Sequence, residues 1–529
     1  MRSARRLLQA AAPLIVLAAM PGPLFELDRY QVPKELVLHV AAFGGALLAL
    51  RGARRLPLAL VDLFLIAFLV ATTASALAAP NGWLALRATG VTWAGAALFW
   101  TARGIGRAEM ARPLLAMLAF AVVLGAASGL LQAYGVELPF ASPRRAPGGT
   151  FGNRNFMAHL TAIGIPLIAW LTIDSRLRAA PALGAIGLAI TSAALLLSRS
   201  RAAWLAVAAG LAIFLVEGIV VSGLWRDPKI RRRLMVAFGS AVAAIGAALL
   251  LPNRLEWRSD TPYLETLVGV ANYREGSGRG RLIQYANSLR MTRDDPALGA
   301  GTGNWAVEYP RYTTPGDPAF DHDDPIPTNP WPSSDWVAML AERGVPATLL
   351  IIAAGTTMAV IGWRRSRQRG STPEGMAGLA MIATLVVTAV VGAFDAVMLL
   401  PAPTFFAWTI LGALHPPPRE LTAVERPAAV RGLRLLAAGA GLAFAAYAAA
   451  GVASIGAAGD GSSARRLRVA TALDPGSFRL RILLAQRSGR CRTAVPHAER
   501  AHALAPNHAE PRRILRRCGV RVAPIQVAR

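Results

Sequence analysis

Apolar runs of 18 residues or more recur along this chain, each long enough to cross a bilayer as a helix. They are built from Leu, Ala, Val and Gly without the strict alternation of a membrane strand, so they read as helices. The chain of 529 residues is 54% hydrophobic and only 16% charged. The expected fold class is therefore all-α, a polytopic membrane bundle of about 12–13 helices.

Arg2, Arg5 and Arg6 precede the first run, which extends to about Phe25. A signal peptide would be followed by a small-residue cleavage site and a soluble domain, but here more spans follow. Further spans are expected near 35–50, 57–79, 84–101, 113–134, 156–173, 180–197, 202–221 and 234–251, then near 345–363, 376–394, 400–414 and 433–456. With the N-terminus in the cytoplasm, the inner connections carry 24 basic residues and the short outer ones 8. That asymmetry follows the positive-inside trend and puts the stretch 252–335, and the tail after it, outside the cytoplasm. The same distribution answers the net charge of +26. Basic residues lie at helix ends, where they set orientation, and this argues against a nucleic-acid partner and for contact with membrane lipids.

The stretch 252–335 holds twelve of the thirty acidic residues and one histidine, His322. A polar loop this long is more often functional than incidental. The domains expected are a membrane domain over 1–456 and a helical tail over 457–529. The tail carries 15 arginines and 4 acids, and Ala470–Pro475 resembles Ala501–Pro506 at a Pro-to-Pro spacing of 31. This resembles a tetratricopeptide repeat, a surface for a protein partner; an irregular helical tail is the alternative. Cys491 would open one tail helix and Cys518 end a later one. An oxidising compartment allows them to pair, and two buried thiols are the other reading.

Four short stretches carry chemistry, all on the expected outer side. In Gly148–Ala158, GGTFGNRNFMA, Gly152 permits a tight turn, and Asn153 or Asn155 can cap a helix whose free N–H groups suit an anion. In Ser198–Leu205, Arg199 and Arg201 sit on a short outer turn against the charge trend, and guanidinium groups suit a diphosphate. Arg279 and Arg281 precede a helix and then a glycine-rich turn holding Gly301, Gly303 and Asn304. No strand precedes that turn, so it is not a dinucleotide site. In Pro332–Gly344, Ser333 or Ser334 can cap an amphipathic helix that Gly344 breaks before the next span.

Together these stretches resemble the O-antigen ligase and polymerase superfamily of bacterial envelope glycosyltransferases. GTFGNRNFMA is similar to the family's GTFGNPNFLA, with Arg154 for proline; SRAAWL is similar to SRGAWL. DDPALGAGTGNW resembles PLLGxGxGNF, and SDWVAMLAERG resembles HNDWLxLLAExG. The order agrees over about 110–415. The resemblance implies an inner-membrane enzyme that moves a glycan from a polyprenyl diphosphate to an acceptor hydroxyl, on lipid A–core or another glycan, at the periplasmic face. It implies no metal or other cofactor, since the donor is already activated. Arg201 and Arg281 would bind the diphosphate, with Arg199 and Arg279 as further candidates. The family's histidine falls at Ser333, which cannot take a proton near neutral pH as imidazole does. Three readings follow: His322 folds back to substitute, Asp335 or another loop acid serves, or the chain is a diverged member. His159 matches no family catalytic position and reads as a packed or capping residue. A transporter of lipid-linked sugar is the other class of function, and it would show two related halves with broken helices.

Overall fold

The computed structural model describes residues 1–138, 140–143, 145–174, 179–221, 223–269, 276–314, 317, 330–369, 372–417 and 420–523. Among these the chain forms twenty α-helices and one two-stranded ribbon. The first nine helices are α1 (Arg2–Leu17), α2 (Asp28–Leu50), α3 (Leu60–Leu77), α4 (Gly82–Arg107), α5 (Ala111–Ala133), α6 (Arg154–Ile173), α7 (Ala180–Ser198), α8 (Arg201–Ile213, with a π-helical extension Phe214–Val221) and α9 (Pro228–Leu250). The polar stretch holds α10 (Pro262–Val268), α11 (Gly276–Asp294) and α12 (Trp305–Glu308). Then come α13 (Asp335–Arg369), α14 (Pro373–Phe394), α15 (Pro401–Leu414) and α16 (Pro427–Ala458). The tail is α17 (Ala464–Leu473), α18 (Phe478–Arg487), α19 (Cys491–Leu504) and α20 (Ala509–Arg517).

Ten of the helices are long and apolar enough to cross a membrane: α2, α3, α5 to α9, α13, α14 and α16. This is a multi-pass membrane protein. Three further segments expected as spans, α1, α4 and α15, are shorter or more polar and pack among the ten, α15 against α4 and α1 against α2 and α5. The α4–α15 contact is close because it is made through glycine: a methyl group on Gly412 would stand 2.3 Å from the Phe99 carbonyl oxygen. Small residues at helix crossings are how apolar helices gain packing energy where lipid gives them no hydrophobic drive.

Helix starts follow their capping residues. Asn81 accepts from the N–H groups of Trp83 (3.1 Å) and Leu84 (3.2 Å) to open α4, and Asp227 and Thr372 open α9 and α14 in the same way. The chain crosses back and forth, so the connections fall at two ends. At one end β1 (Leu56–Leu58) pairs antiparallel with β2 (Thr422–Val424), a small departure from the all-helical expectation. Arg55 clamps that ribbon through Glu425 (2.7 Å) and Glu420. Near it, Asp62 and Arg103 form a buried ion pair at 2.7 Å, and the Trp100 indole N–H donates to Asp62 at 2.8 Å. Every motif picked from the sequence lies at the opposite end.

The tail helices pack in chain order, and Cys491 is joined to Cys518. The pair closes a loop of sequence separation 27, so its removal is expected to weaken the α19–α20 unit by about 2–4 kcal/mol. Intact-mass analysis after alkylation of the unreduced protein should find both thiols blocked. Hydrogen exchange in α19 and α20 should accelerate when both cysteines become serine.

Candidate functional site

The glycine-rich turn before α6 is held from three sides. Gln132 Oε1 accepts from the N–H groups of Gly148 (2.9 Å) and Gly149 (2.8 Å). The buried Lys34 ammonium donates to the carbonyls of Val16 (3.1 Å), Ala18 (2.5 Å) and Thr150 (3.1 Å), tying the end of α1 to the turn. Gly152 has φ +66°, and a Cβ there would fall 2.0 Å from the Tyr30 ring. Of the two asparagines, Asn153 is the cap, accepting from the N–H of Asn155 at 2.9 Å.

Arg154, in the family's proline position, opens α6, and its guanidinium lies 4.9 Å from the Trp257 ring centroid. Arg199 lies 4.7 Å from the same ring and donates to Thr266 (2.7 Å) and Glu265 (3.1 Å). Arg201 donates to the carbonyl of Gly269 at 2.7 Å. The α7–α8 turn is thus packed under α10 by its own arginines. Trp257 was not singled out from the sequence; one tryptophan in a polar loop gives no local signal.

Arg281, one turn into α11, is half-buried, with no hydrogen-bonded acceptor among the described residues. It lies within electrostatic reach of His159. Arg279 is exposed at the same helix start. His159 is fully buried, neither ring nitrogen has a hydrogen-bond partner among the described residues, and Nε2 is 3.6 Å from Asp395 Oδ2. Asp395 ends α14, its Oδ1 accepts the N–H of Ala396 (2.9 Å), its Oδ2 faces His159, and its side chain is 14% exposed. Ser333 is brought to the same place by α11: Gln284 Oε1 accepts its N–H at 2.7 Å, and the Tyr285 hydroxyl reaches the carbonyls of Ser333 (2.6 Å) and Ala393 (3.2 Å). The position of the family's histidine therefore sits beside Asp395, an acid outside the loop that the sequence reading had passed over.

Other candidates have structural work. Asp335 is buried, and its two oxygens accept the N–H groups of Val397 and Met398, both at 2.9 Å, which leaves it poorly placed to take a proton from a substrate. Glu342, two turns on, accepts from Gly303 (3.0 Å) and Trp305 (3.2 Å). Asn304 pairs with the backbone of Asn81, accepting at 2.8 Å and donating at 3.1 Å. Gly301 (φ +96°) and Gly303 (φ +73°) press on the α3–α4 turn, where a Cβ would meet Ala79 at 2.5 Å or the Leu84 carbonyl at 2.7 Å. These residues dock the loop on the bundle. Ser334, rather than Ser333, caps α13, accepting from Val337 at 3.4 Å. His322 lies outside the described residues.

The loop has its own small core, in which Trp305 stacks on Tyr309 with ring centroids 4.1 Å apart. Tyr309 donates to Asp317 at 2.6 Å and Tyr312 to Asp294 at 2.7 Å. Burial, and then the Asp317 carboxylate, push the Tyr309 hydroxyl far above the phenol range; burial and Asp294 push Tyr312 up to about 12. Both stay protonated donors at neutral pH.

The fold defines a multi-pass membrane protein whose polar chemistry is gathered at one end of its bundle. Residues 186–352, from within α7 into α13, match the family model described as O-Antigen ligase. The match takes in the arginine turn and the polar stretch but neither the α6 turn nor Asp395. No curated protein matches the chain.

If Asp335 and Glu342 hold loops, Asp335→Ala and Glu342→Ala should each cost ~1–3 kcal/mol per orphaned amide. The expected result is a lower melting temperature in detergent and less protein in the membrane. A fully stable, inactive Asp335→Ala protein would instead restore Asp335 as the base.

Proposed function

We propose that this protein is a membrane glycosyltransferase. It moves a glycan from a polyprenyl-diphosphate carrier to an acceptor hydroxyl, on lipid A–core or another glycan, at the outer face of a bacterial inner membrane. The observation that carries the reading is the convergence around the start of α6. Arg154 and Arg199 bracket Trp257 at one level, and Arg281, His159 and Asp395 stand together at another. Residues 154 and 159 are five apart on one helix, a rise of about 7.5 Å. A diphosphate and the sugar attached to it extend over such a distance. The family match supports the reaction class, and the arginine-poor short connections at this end support the outer placement.

In the proposed reaction the acceptor oxygen attacks the anomeric carbon of the donor sugar, and the bond from that carbon to the diphosphate oxygen breaks. The diphosphate leaves with the bonding pair, and its growing charge meets fixed guanidinium groups. These are strong there because a site fringed by lipid and apolar helices screens charge poorly. Arg281, with no hydrogen-bonded acceptor among the described residues, is the principal donor; Arg201, Arg199 and Arg154 line the approach. The acceptor proton goes to the carboxylate of Asp395. His159 orients that carboxylate from behind; their 3.6 Å separation is of the length that tightens on substrate binding. It is a positioning residue, since it is fully buried.

Arg281→Ala should lower transfer ~10²–10³-fold, the usual cost of one lost charge-stabilising donor, with insertion intact. Asp395→Asn should lower it ~10²–10⁴-fold, the range for a general base. The assay is incorporation of radiolabelled glycan from the lipid-linked donor in isolated membranes. Near-normal rates in the Arg281 variant would remove the donor assignment; near-normal rates in the Asp395 variant would remove the base.

A further inference from the structure

A second cavity lies at this end of the bundle, of about 180 Å³ to a water-sized probe, far above the ~10–15 Å³ that one water needs. It is roofed by the tail residues Asp474–Leu480 and floored by α2, α4 and α16. Trp331 and Met398 stand on its wall, two residues before Ser333 and three after Asp395 in the chain.

Its chemistry differs from that of the arginine cluster. Arg87 is spent on Glu35 (2.8 Å) and Asp28 (3.2 Å), and Arg479 reaches the second oxygen of Asp28 at 3.3 Å. Asp474 adds a further carboxylate. Arg87 and Arg479 are thus matched by acids, whereas Arg281 has no ion pair among the described residues. Tyr447, stacked on Trp83 at 6.2 Å, and Trp331 present flat apolar faces with polar edges. A buried donor also lines the cavity: Arg343 is 3% exposed, donates once to Thr92 (3.0 Å), and its Nε has no partner among the described residues.

We propose that this cavity under the tail is the acceptor site, and that it takes a hydroxyl-rich glycan segment without phosphate. The proposal rests on the glycan-transfer reading above. Carboxylates and neutralised guanidiniums exchange hydrogen bonds with sugar hydroxyls, and the aromatic faces cover the ring. A phosphorylated segment would meet Asp28, Glu35 and Asp474 and be repelled, while the donor diphosphate is drawn to the arginine cluster. Unequal charge thus sorts two glycan substrates into two sites, and the tail, by closing the roof, belongs to the acceptor site.

The full-length protein supplies the test, since its native cysteines are bonded to each other and leave an introduced thiol alone to react. Ser477→Cys and Leu399→Cys place a thiol in the cavity wall; Ser462→Cys, on the exposed edge of the tail, is the control. Each is treated with benzyl methanethiosulfonate in membranes and compared with its own unlabelled rate. Labelling either wall position should lower transfer about tenfold or more, with binding of a fluorescent polyprenyl-diphosphate glycan unchanged and the control unaffected. Mass spectrometry of the native product should find no phosphate on the accepting sugar. Full transfer after labelling, donor binding lost in step with transfer, or a phosphorylated accepting sugar would overturn the proposal. If a wall variant is inactive before labelling, the product analysis and the donor-binding assay still decide. Normal donor binding by Arg281→Ala would overturn the underlying donor reading instead, and it is measured separately.

Discussion

Two carboxylates on one amphipathic helix hold this end of the molecule together. Asp335 and Glu342 are seven residues apart, two turns of α13, and so share a face. Each accepts a pair of backbone amides from a different segment: Asp335 from the α14–α15 connection, Glu342 from the glycine-rich turn before α12. Amides buried without partners are costly, so two segments that cannot form ladders of their own are fixed by borrowing acceptors from a third. The kink at Gly344, φ +74°, separates this platform from the span that follows, and a Cβ there would collide with the Ala297 carbonyl at 2.5 Å. The loop glycines answer the same need. Gly299 lies so near the backbone of Glu342 that a side chain would stand 2.5 Å from it. Asp395 is two residues from the amide that Asp335 holds, so the platform also sets where the proposed base points.

The arginines divide into those the protein consumes and those it presents. Arg87 and Arg103 are paired with acids inside the bundle, where leaving the partner charge alone would cost several kcal/mol. Arg154 and Arg199 lie over one indole, which offers their cations a favourable face without neutralising them. Arg281 has no ion pair and no hydrogen-bonded acceptor among the described residues, in a half-buried position within electrostatic reach of His159. Holding an unmatched cation there is unfavourable by itself and becomes favourable when an anion arrives, which is why the proposed function gives it the diphosphate.

The spans were legible because an apolar run of membrane length has few other fates, and the tight turn, the helix-breaking Gly344 and the asparagine cap were legible because φ, ψ and capping are local. Which motif residues bind and which merely hold was not. Gly301, Gly303 and Asn304 stand in a conspicuous motif, yet their partners are Ala79, Asn81 and Leu84, some two hundred residues earlier. Asp335 looked like a free acid because the Val397 and Met398 amides that occupy it are not neighbours in sequence. Asp395 was overlooked for the opposite reason: it ends an ordinary span, and only folding sets it beside His159 and Ser333. Long-range pairing of this kind leaves no trace in spacing or periodicity.

A serine at 333, where the family that the chain resembles carries histidine, then has a physical reading under the proposed function. An imidazole on a loop must be ordered by that loop before it can take a proton. A carboxylate at the end of a membrane helix is already ordered, because α14 fixes its backbone and the platform on α13 fixes the connection after it. In the proposed reaction, placing the proton-accepting group on the bundle rather than the loop leaves residue 333 free to be small.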